Sequence, residues 1–134
     1  MPGRIAHTSI YVDEFNPRET ATKKAAAFPV FFLSHVHSDH LKGLCDNWSG
    51  GTIYCSEVTK TLLLRLFAIS PERICALRLN EPVMLTGLDV VGRGDSFCVT
   101  LLDANHCAGA VMFFFEGPFG HILHTGDCRL TPPV

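Results

Sequence analysis

The feature that most constrains this sequence is the stretch FLSHVHSDHLKG, residues 32–43, in which four side chains able to bind a metal directly follow an apolar run. Residues two apart on an extended segment point to the same side, so His35 and His37 are placed to reach one metal. Asp39 and His40 come where the chain turns and are placed to face a second one. A solvated loop that happens to be rich in histidine is the competing interpretation. The apolar strand before the cluster would hold it rigid, and this favours a metal site.

The ligand types indicate which metals to expect. Imidazole and carboxylate groups suit Zn²⁺, and Mn²⁺, Fe and Mg²⁺ are further candidates. A structural zinc site is closed and usually contains cysteines in spaced pairs, whereas the six cysteines here, at positions 45, 55, 75, 98, 107 and 128, include no C-x-x-C pair. The pattern therefore favours a catalytic site with a position open for water. Scattered cysteines also indicate reduced thiols in a cytosolic or nuclear protein.

The composition is that of one globular domain. With 134 residues, 47% of them apolar, the chain is long enough to bury roughly two-thirds of the surface that it exposes when unfolded. A formal net charge of −2 excludes the overall basic field of many nucleic-acid-binding domains, so a polyanion would need a local patch. The N-terminal residues lack a signal-peptide pattern, and no run approaches the ~20 apolar residues of a membrane span. We therefore expect a soluble, intracellular protein without membrane contact.

Periodicity and breaker residues predict a chain dominated by strands. The predicted strands cover 8–12, 29–34, 52–55, 74–79, 81–85 and 97–104, with a hairpin over 110–127 that turns at 117–120. One helix is predicted over 56–69, with Ser56 as its N-cap, Glu57 in its first turn and Pro71 as its end. The LLLRLF run inside it is expected to be helix core, and residues 14–28 are expected to form a loop or a short helix.

Two further residues complete a plausible metal shell. His106, in LLDANHCAG, and Asp127, in LHTGDCR, each follow an apolar strand with a glycine nearby, as a loop that approaches a metal requires. Either residue alone would carry little weight. His106 supplies a third imidazole beside those of His35 and His37, and Asp127 supplies a carboxylate able to bridge two metals.

The order of these motifs resembles a known superfamily. Asp13, then HVHSDH, DANHCAG and HTGD, resemble motifs one to four of the metallo-β-lactamase superfamily, and the phrases FFLSHVHSDHLKGL, TIYCSEVTKTLL, VTLLDANHCAGAVMFFFEG and ILHTGDCRLTP resemble the DNA cross-link repair nucleases of its β-CASP branch. The resemblance covers residues 5–132. It implies an α/β fold, the αββα metallo-β-lactamase sandwich, with two metals at the strand ends. Residues 1–134 would form its strand-rich N-terminal part, and the β-CASP domain and the C-terminal half would be absent.

The resemblance also implies a role for each site residue. The first metal would be bound by His35, His37 and His106, the second by Asp39 and His40, and both by Asp127. Asp13 would hold a metal-bound histidine in its tautomer. Asp13, Asp39 and Asp127 are the carboxylates expected to serve catalysis.

The function implied is metal-dependent 5′-to-3′ DNA exonuclease activity in the nucleus, in interstrand cross-link repair, double-strand-break repair and telomere end processing. The expected cofactor is one or two Zn²⁺, the expected substrate is DNA with a free 5′ end, and telomere or repair proteins would bind through regions outside this chain. Two alternatives stay open: a catalytically inactive fragment that binds a metal or a partner, and an RNA-processing or thioester hydrolase of the same superfamily.

The sequence also departs from the family pattern. Ala108 and Cys128 replace a proline and an aromatic residue, although neither change removes a ligand. The family completes its second metal site with a histidine far downstream, and its nucleic-acid channel needs the β-CASP domain. We therefore expect residues 1–134 alone to be nearly inactive as a nuclease and to self-associate or bind a partner.

Other polar residues are expected to stay outside the site. His121 and His124 lie three apart on a predicted strand and so on opposite faces. Cys107 is expected to be a packed thiol rather than a zinc ligand. Ordinary surface or packing roles are expected for His7, Lys23, Lys24, Arg65, Arg73 and Arg78.

Overall fold

A computed structural model describes residues 3–6, 8–15, 29–86 and 96–127, and within these ranges the chain forms two sheets that pack face to face. The first sheet has the order β1-β2-β3-β4-β5, with β1 antiparallel to β2 and the other strands parallel. Its strands are β1 Gly3–Arg4, β2 Ile10–Val12, β3 Val30–Phe32, β4 Ile53–Ser56 and β5 Ile74–Leu77.

The second sheet is fully antiparallel and has the order β6-β7-β8-β9. Its strands are β6 Val83–Leu85, β7 Phe97–Asp103, β8 Val111–Gly117 and β9 Gly120–His124. The predicted hairpin is confirmed, since β8 and β9 pair from Phe113↔His124 to Gly117↔Gly120. Short 3-10 turns cover Ser38–His40 and Pro71–Arg73.

The helix α1 covers Glu57–Leu66 and begins as predicted. The Ser56 hydroxyl caps it by accepting a hydrogen bond from the Thr59 N–H at 3.2 Å. The predicted end was wrong: the helix stops at Leu66, because Phe67 adopts an extended backbone, and Pro71 opens a separate 3-10 turn. The prediction that LLLRLF is all core was also wrong. A single helix buries one face, so Leu63 is fully buried while Leu66 is 58% exposed.

Alternation along the strands builds two cores, one on each side of the first sheet. Phe32 points between the sheets, where its ring lies 5.2 Å from that of Phe113 and 5.0 Å from that of Phe115. Its neighbour Phe31 points the other way, into a cluster with Leu63 of α1 and other apolar side chains. The result is a helix layer and two sheet layers, which is compatible with an α/β sandwich of the metallo-β-lactamase type. The only α-helix among the described residues is α1.

Several sequence predictions fall on parts of the chain outside the described residues. These are the loop or short helix predicted over 14–28, of which only Glu14 and Phe15 are described, and the roles of His7, Lys23, Lys24 and Cys128. Within the described ranges, no helix is both long enough and apolar enough to cross a membrane.

Candidate metal centre

The predicted ligands converge at one edge of the sandwich because the strands that carry them end there. Asp13 directly follows β2, and His35 follows β3 by three residues. These two strands are parallel neighbours, so their carboxyl ends meet at the same edge of the first sheet. His106 and Asp127 follow β7 and β9 of the second sheet. Both sheets therefore contribute side chains to one site.

Three overlapping groups of side chains have their ligand atoms within 4.8 Å of one another. The first group is His35, His37, His106 and Asp127, and the second is Asp39, His40 and Asp127. The third is Asp13, His35 and His40. The structure thus brings together every residue predicted for the site, with Asp127 shared between the first two groups.

The histidine rings are packed closely around His35. Its ring centroid lies 4.5 Å from that of His37, 4.2 Å from that of His40 and 4.9 Å from that of His106. Burial and the neighbouring His40 lower the pKa of His35 below its usual value of 6.5. A neutral imidazole is the form that binds a metal, so this environment keeps His35 ready to act as a ligand.

One atom of His35 has no partner. Among the described residues, His35 Nε2 is the only buried side-chain nitrogen or oxygen without a hydrogen bond. A buried polar atom of this kind usually marks an ion, a water or a functional role. Here the atom points at the Asp127 carboxylate, with 3.6 Å between His35 Nε2 and Asp127 Oδ2.

Asp127 lies between the imidazoles. Its Oδ2 is 3.2 Å from His40 Nε2 and 3.9 Å from His106 Nε2. Burial alone would raise the pKa of the Asp127 carboxyl, but His40, His35 and His106 outweigh burial and hold the pKa below its usual value. The carboxylate is therefore charged at neutral pH and available to a cation.

Asp13 lies beneath the site rather than facing it. Its Oδ1 accepts a hydrogen bond from the Ser34 N–H at 2.7 Å, and its Oδ2 accepts one from the Ser34 hydroxyl at 2.6 Å. The same Oδ2 lies 2.7 Å from His40 Nδ1. Asp13 also has a φ of 57°, in the left-handed region that Asp tolerates better than most residues. This carboxylate is buried and positions His40, which is buried beside it.

The loop that carries His106 is held against the start of α1. Ser56 and Thr59 both donate hydroxyl hydrogen bonds to the Gly109 carbonyl, at 2.8 and 3.1 Å. Gly109 has a φ of +81°, and a Cβ added there would lie 2.7 Å from Thr59 Oγ1. Only glycine fits this close approach, so the helix N-terminus fixes the loop that presents His106.

Sequence reasoning missed one member of the site, Ser34. It is only 1% exposed, and its hydroxyl lies between Asp13 and His35 Nδ1, at 2.8 Å from the latter. A small hydroxyl residue directly before the first histidine was the available signal, but its meaning depends on Asp13, which is 21 residues away.

The residues expected to stay outside the site do so where they are described. His121 is exposed, with its Nε2 3.8 Å from Glu116 Oε2, and His124 Nδ1 accepts a hydrogen bond from the Gly126 N–H at 3.2 Å. Cys107 belongs to none of the three ligand groups, but the prediction that it is a packed thiol was wrong, because the residue is exposed. Partial desolvation, with Asp127 as a second cause, raises the pKa of the Cys107 thiol and so disfavours the thiolate that a metal would need.

Known proteins that are similar in sequence support the same interpretation as the geometry of the site. The chain is 46% identical to 5′ exonuclease Apollo of Rattus norvegicus over 130 residues, which is 97% of this chain and 23% of that protein. It is 42% identical to DNA cross-link repair protein pso2/snm1 of Schizosaccharomyces pombe over 103 residues, 74% of this chain and 17% of that protein. It is 40% identical to protein artemis of Danio rerio over 135 residues, 92% of this chain and 20% of that protein.

The matched region is a small part of each relative. The chain spans less than a quarter of the length of these curated proteins. No protein-family model matches the chain.

Proposed function

This chain belongs to the β-CASP metallo-β-lactamase nucleases, the family that includes Apollo, Pso2/Snm1 and Artemis, and on that premise we propose that its histidine and aspartate cluster is the metal centre of a 5′-to-3′ DNA exonuclease. The substrate in this proposal is DNA with a free 5′ end, and the bond hydrolysed is a phosphodiester. The biological setting is nuclear: interstrand cross-link repair, double-strand-break repair and telomere end processing.

The observation that carries the proposal is the donor set around the unpartnered His35 Nε2. A tetrahedral Zn²⁺ with bonds of about 2.0–2.1 Å needs its ligand atoms roughly 3.3–3.5 Å apart. His106 Nε2 lies 3.4 Å from His37 Nδ1, and Asp127 Oδ2 lies 3.6 and 3.9 Å from the Nε2 atoms of His35 and His106. These spacings fit zinc after shifts of a few tenths of an ångström.

Each residue of the cluster has a defined role in the proposed metal centre. One or two bound Zn²⁺, or Mn²⁺, Fe or Mg²⁺ in their place, would supply an activated water and stabilise charge on the leaving oxygen. His35, His37 and His106 would hold one metal, Asp39 and His40 would hold the other, and Asp127 would contribute to both.

The exposure of these groups sets the direction from which a substrate arrives. The Asp39 side chain is 73% exposed and that of Asp127 is 44% exposed, whereas that of His40 is 2% exposed. The carboxylates therefore face solvent while His40 and His35 lie behind them. A phosphodiester reaches the site from the carboxylate side.

The test is an exonuclease assay on purified protein, wild type and variants, made in the longest form that the natural source expresses, with 5′-phosphorylated single-stranded DNA as substrate. Asp39→Ala removes a ligand of the second position and should reduce turnover at least about a hundredfold, because changes outside the ligand shell already cost 10–100-fold. DNA binding should change little. Glu81→Ala, at an exposed carboxylate outside the cluster, is the matched control. Near-normal turnover of the Asp39 variant would refute the proposed role.

A second candidate function is metal binding without cleavage, together with binding of a partner protein. The exposed apolar side chains support it, since Leu66 of α1 and Met84 of β6 are 58% and 59% exposed. The same assay separates the candidates: metal-loaded protein that cleaves no DNA supports the second one. Cleavage of RNA or of a thioester in place of DNA would assign the site to another hydrolase of the superfamily.

A further inference from the structure

The Ser34 hydroxyl links the buried carboxylate of Asp13 to His35, which Asp13 does not contact directly. The Ser34 hydroxyl donates to Asp13 Oδ2 at 2.6 Å and lies 2.8 Å from His35 Nδ1. The side chains of all three residues are at most 1% exposed. Water therefore does not compete for these hydrogen bonds, and their directions follow from the donors and acceptors present.

The direction of each bond can be assigned. An ionised carboxylate only accepts, so the single hydroxyl proton of Ser34 goes to Asp13. The Ser34 oxygen can then only accept from His35, which requires a proton on His35 Nδ1. That tautomer leaves His35 Nε2 with a free lone pair, and this is the atom that has no partner in the site.

The same carboxylate sets His40 without an intermediary. Asp13 Oδ2 accepts from His40 Nδ1 at 2.7 Å, which turns His40 Nε2 toward the proposed metal position. That atom faces Asp127 at 3.2 Å and Asp39 at 3.4 Å. His35 belongs to the group with His37 and His106, and His40 to the group with Asp39, so Asp13 prepares both proposed metal positions, one directly and one through Ser34.

We infer that Ser34 is a positioning residue that relays the Asp13 carboxylate to His35 and fixes the tautomer with which His35 binds metal. The inference rests on the proposed metal centre. A packing role would not have the following consequence. Removing the Ser34 hydroxyl leaves the tautomer of His35 unspecified, while the Nδ1 proton of His40 stays in place. Altering Asp13 affects both histidines.

Asp13→Asn should reverse the relay. The Asn carbonyl would keep the bond from the Ser34 N–H, which places its amide where Oδ2 now accepts two protons. The amide donates, so the Ser34 hydroxyl would accept from it and donate to His35 Nδ1. His40 Nδ1 would also have to accept. Both histidines would then carry their proton on Nε2 and lose the lone pair that binds metal.

The experiment reads the proton positions directly in the metal-free chain. Long-range ¹H–¹⁵N correlation spectra of ¹⁵N-histidine-labelled protein, recorded at about pH 8 where neutral imidazole dominates, distinguish the two tautomers. Wild type should show a proton on Nδ1 of both His35 and His40, and none on His35 Nε2. Ser34→Ala should leave His40 unchanged, give a mixture at His35, and weaken Zn²⁺ binding in a chelator competition by about 10–100-fold. Asp13→Asn should move both protons to Nε2.

Controls separate this relay from a folding defect. Ser34→Thr keeps the hydroxyl and should keep the wild-type spectrum, and its unfolding temperature reports whether the extra methyl fits beside Gly126, whose backbone packs against Ser34. His121, exposed and outside the network, should have the same spectrum in every variant.

Two results would overturn the inference. One is a wild-type spectrum with the His35 proton on Nε2, which needs no variant to fold. The other is a folded Ser34→Ala chain with an unchanged His35 tautomer and unchanged zinc affinity. Failure of DNA cleavage alone would count against the proposed exonuclease and not against the relay, because the spectra are recorded without metal or substrate.

Discussion

At the scale of single residues, His35 is the side chain whose surroundings fit metal binding most clearly. Its side chain is 1% exposed, its Nδ1 is satisfied by Ser34, and its Nε2 has no partner. Folding removes the ring from water and surrounds it with other imidazoles, so the neutral form is favoured and the pKa falls. The fold therefore favours His35 in the neutral state that a metal requires.

This environment predicts how the stability of the metal-free chain depends on pH. The pKa of His35 is lowered from 6.5 on folding, so the unfolded chain binds a proton more readily than the folded one. The stabilisation is complete above about pH 6.5 and is lost as the pH falls toward the lower pKa of the folded state. Urea unfolding between about pH 8 and pH 5 should show this loss.

A variant isolates the contribution of His35 from other titrating groups. His35→Gln cannot take up a proton in this range and should flatten the decline, while His121→Gln, at an exposed site, should leave it unchanged. An equal decline in wild type and in the His35 variant would show that another group is responsible.

At the scale of elements, the start of α1 and the β7–β8 loop act as one unit. Two hydroxyls of the helix N-terminus hold the Gly109 carbonyl, and the loop presents His106 three residues earlier. The helix therefore positions a ligand that it does not itself carry.

This coupling predicts that Gly109→Ala weakens zinc binding, by about tenfold or more as for other changes just outside a metal shell. The added methyl would meet Thr59 Oγ1 at 2.7 Å and push the loop with His106 away. Gly120→Ala is the matched control, since Gly120 also has a positive φ, +98°, but has open space around it. Both variants carry backbone strain, and only the first collides with α1. Equal zinc affinities, measured by chelator competition, would contradict the coupling.

The secondary-structure elements also show how much of the fold could be predicted from the sequence. Strand and helix positions follow from local periodicity, and the positions of β2, β3, β7 and β9 were therefore predictable. Their ends were less so, since β3 stops at Phe32 rather than Ser34 and β9 at His124 rather than Asp127. The end of α1 was not predictable, because Phe67 turns extended without a breaker residue. The hydrogen bonds of Asp13 with Ser34 and His40 were not predictable either, because these residues are 21 and 27 positions away in the sequence. Such contacts depend on which strands become neighbours, and periodicity does not determine that.

At the scale of the whole molecule, the site is open on one side. Asp39 and Asp127 are well exposed at its mouth. Arg78, near the β7–β8 loop, pairs with Glu57 at 3.9 Å, and both side chains are largely exposed.

The open site predicts that residues 1–134 alone cleave DNA poorly even when loaded with metal. In-line attack needs a substrate held in one orientation, and precise positioning supplies a large share of the rate in such reactions. The measurement is degradation of 5′-phosphorylated DNA with Zn²⁺ or Mn²⁺, beside an Asp127→Ala control. Robust cleavage by a monodisperse monomer, lost in that control, would show that these residues suffice.

The central claim is that the cluster binds metal, and zinc stoichiometry tests it most directly. Purified chain, dialysed and then titrated with Zn²⁺ against a chromophoric chelator, should bind one ion tightly through His35, His37, His106 and Asp127, and a second more weakly through Asp39, His40 and Asp127. The tight ion should be absent from a His35→Ala, His37→Ala double variant and retained in His121→Ala. A wild-type chain that binds no zinc, or a double variant that binds it as tightly as wild type, would contradict the account.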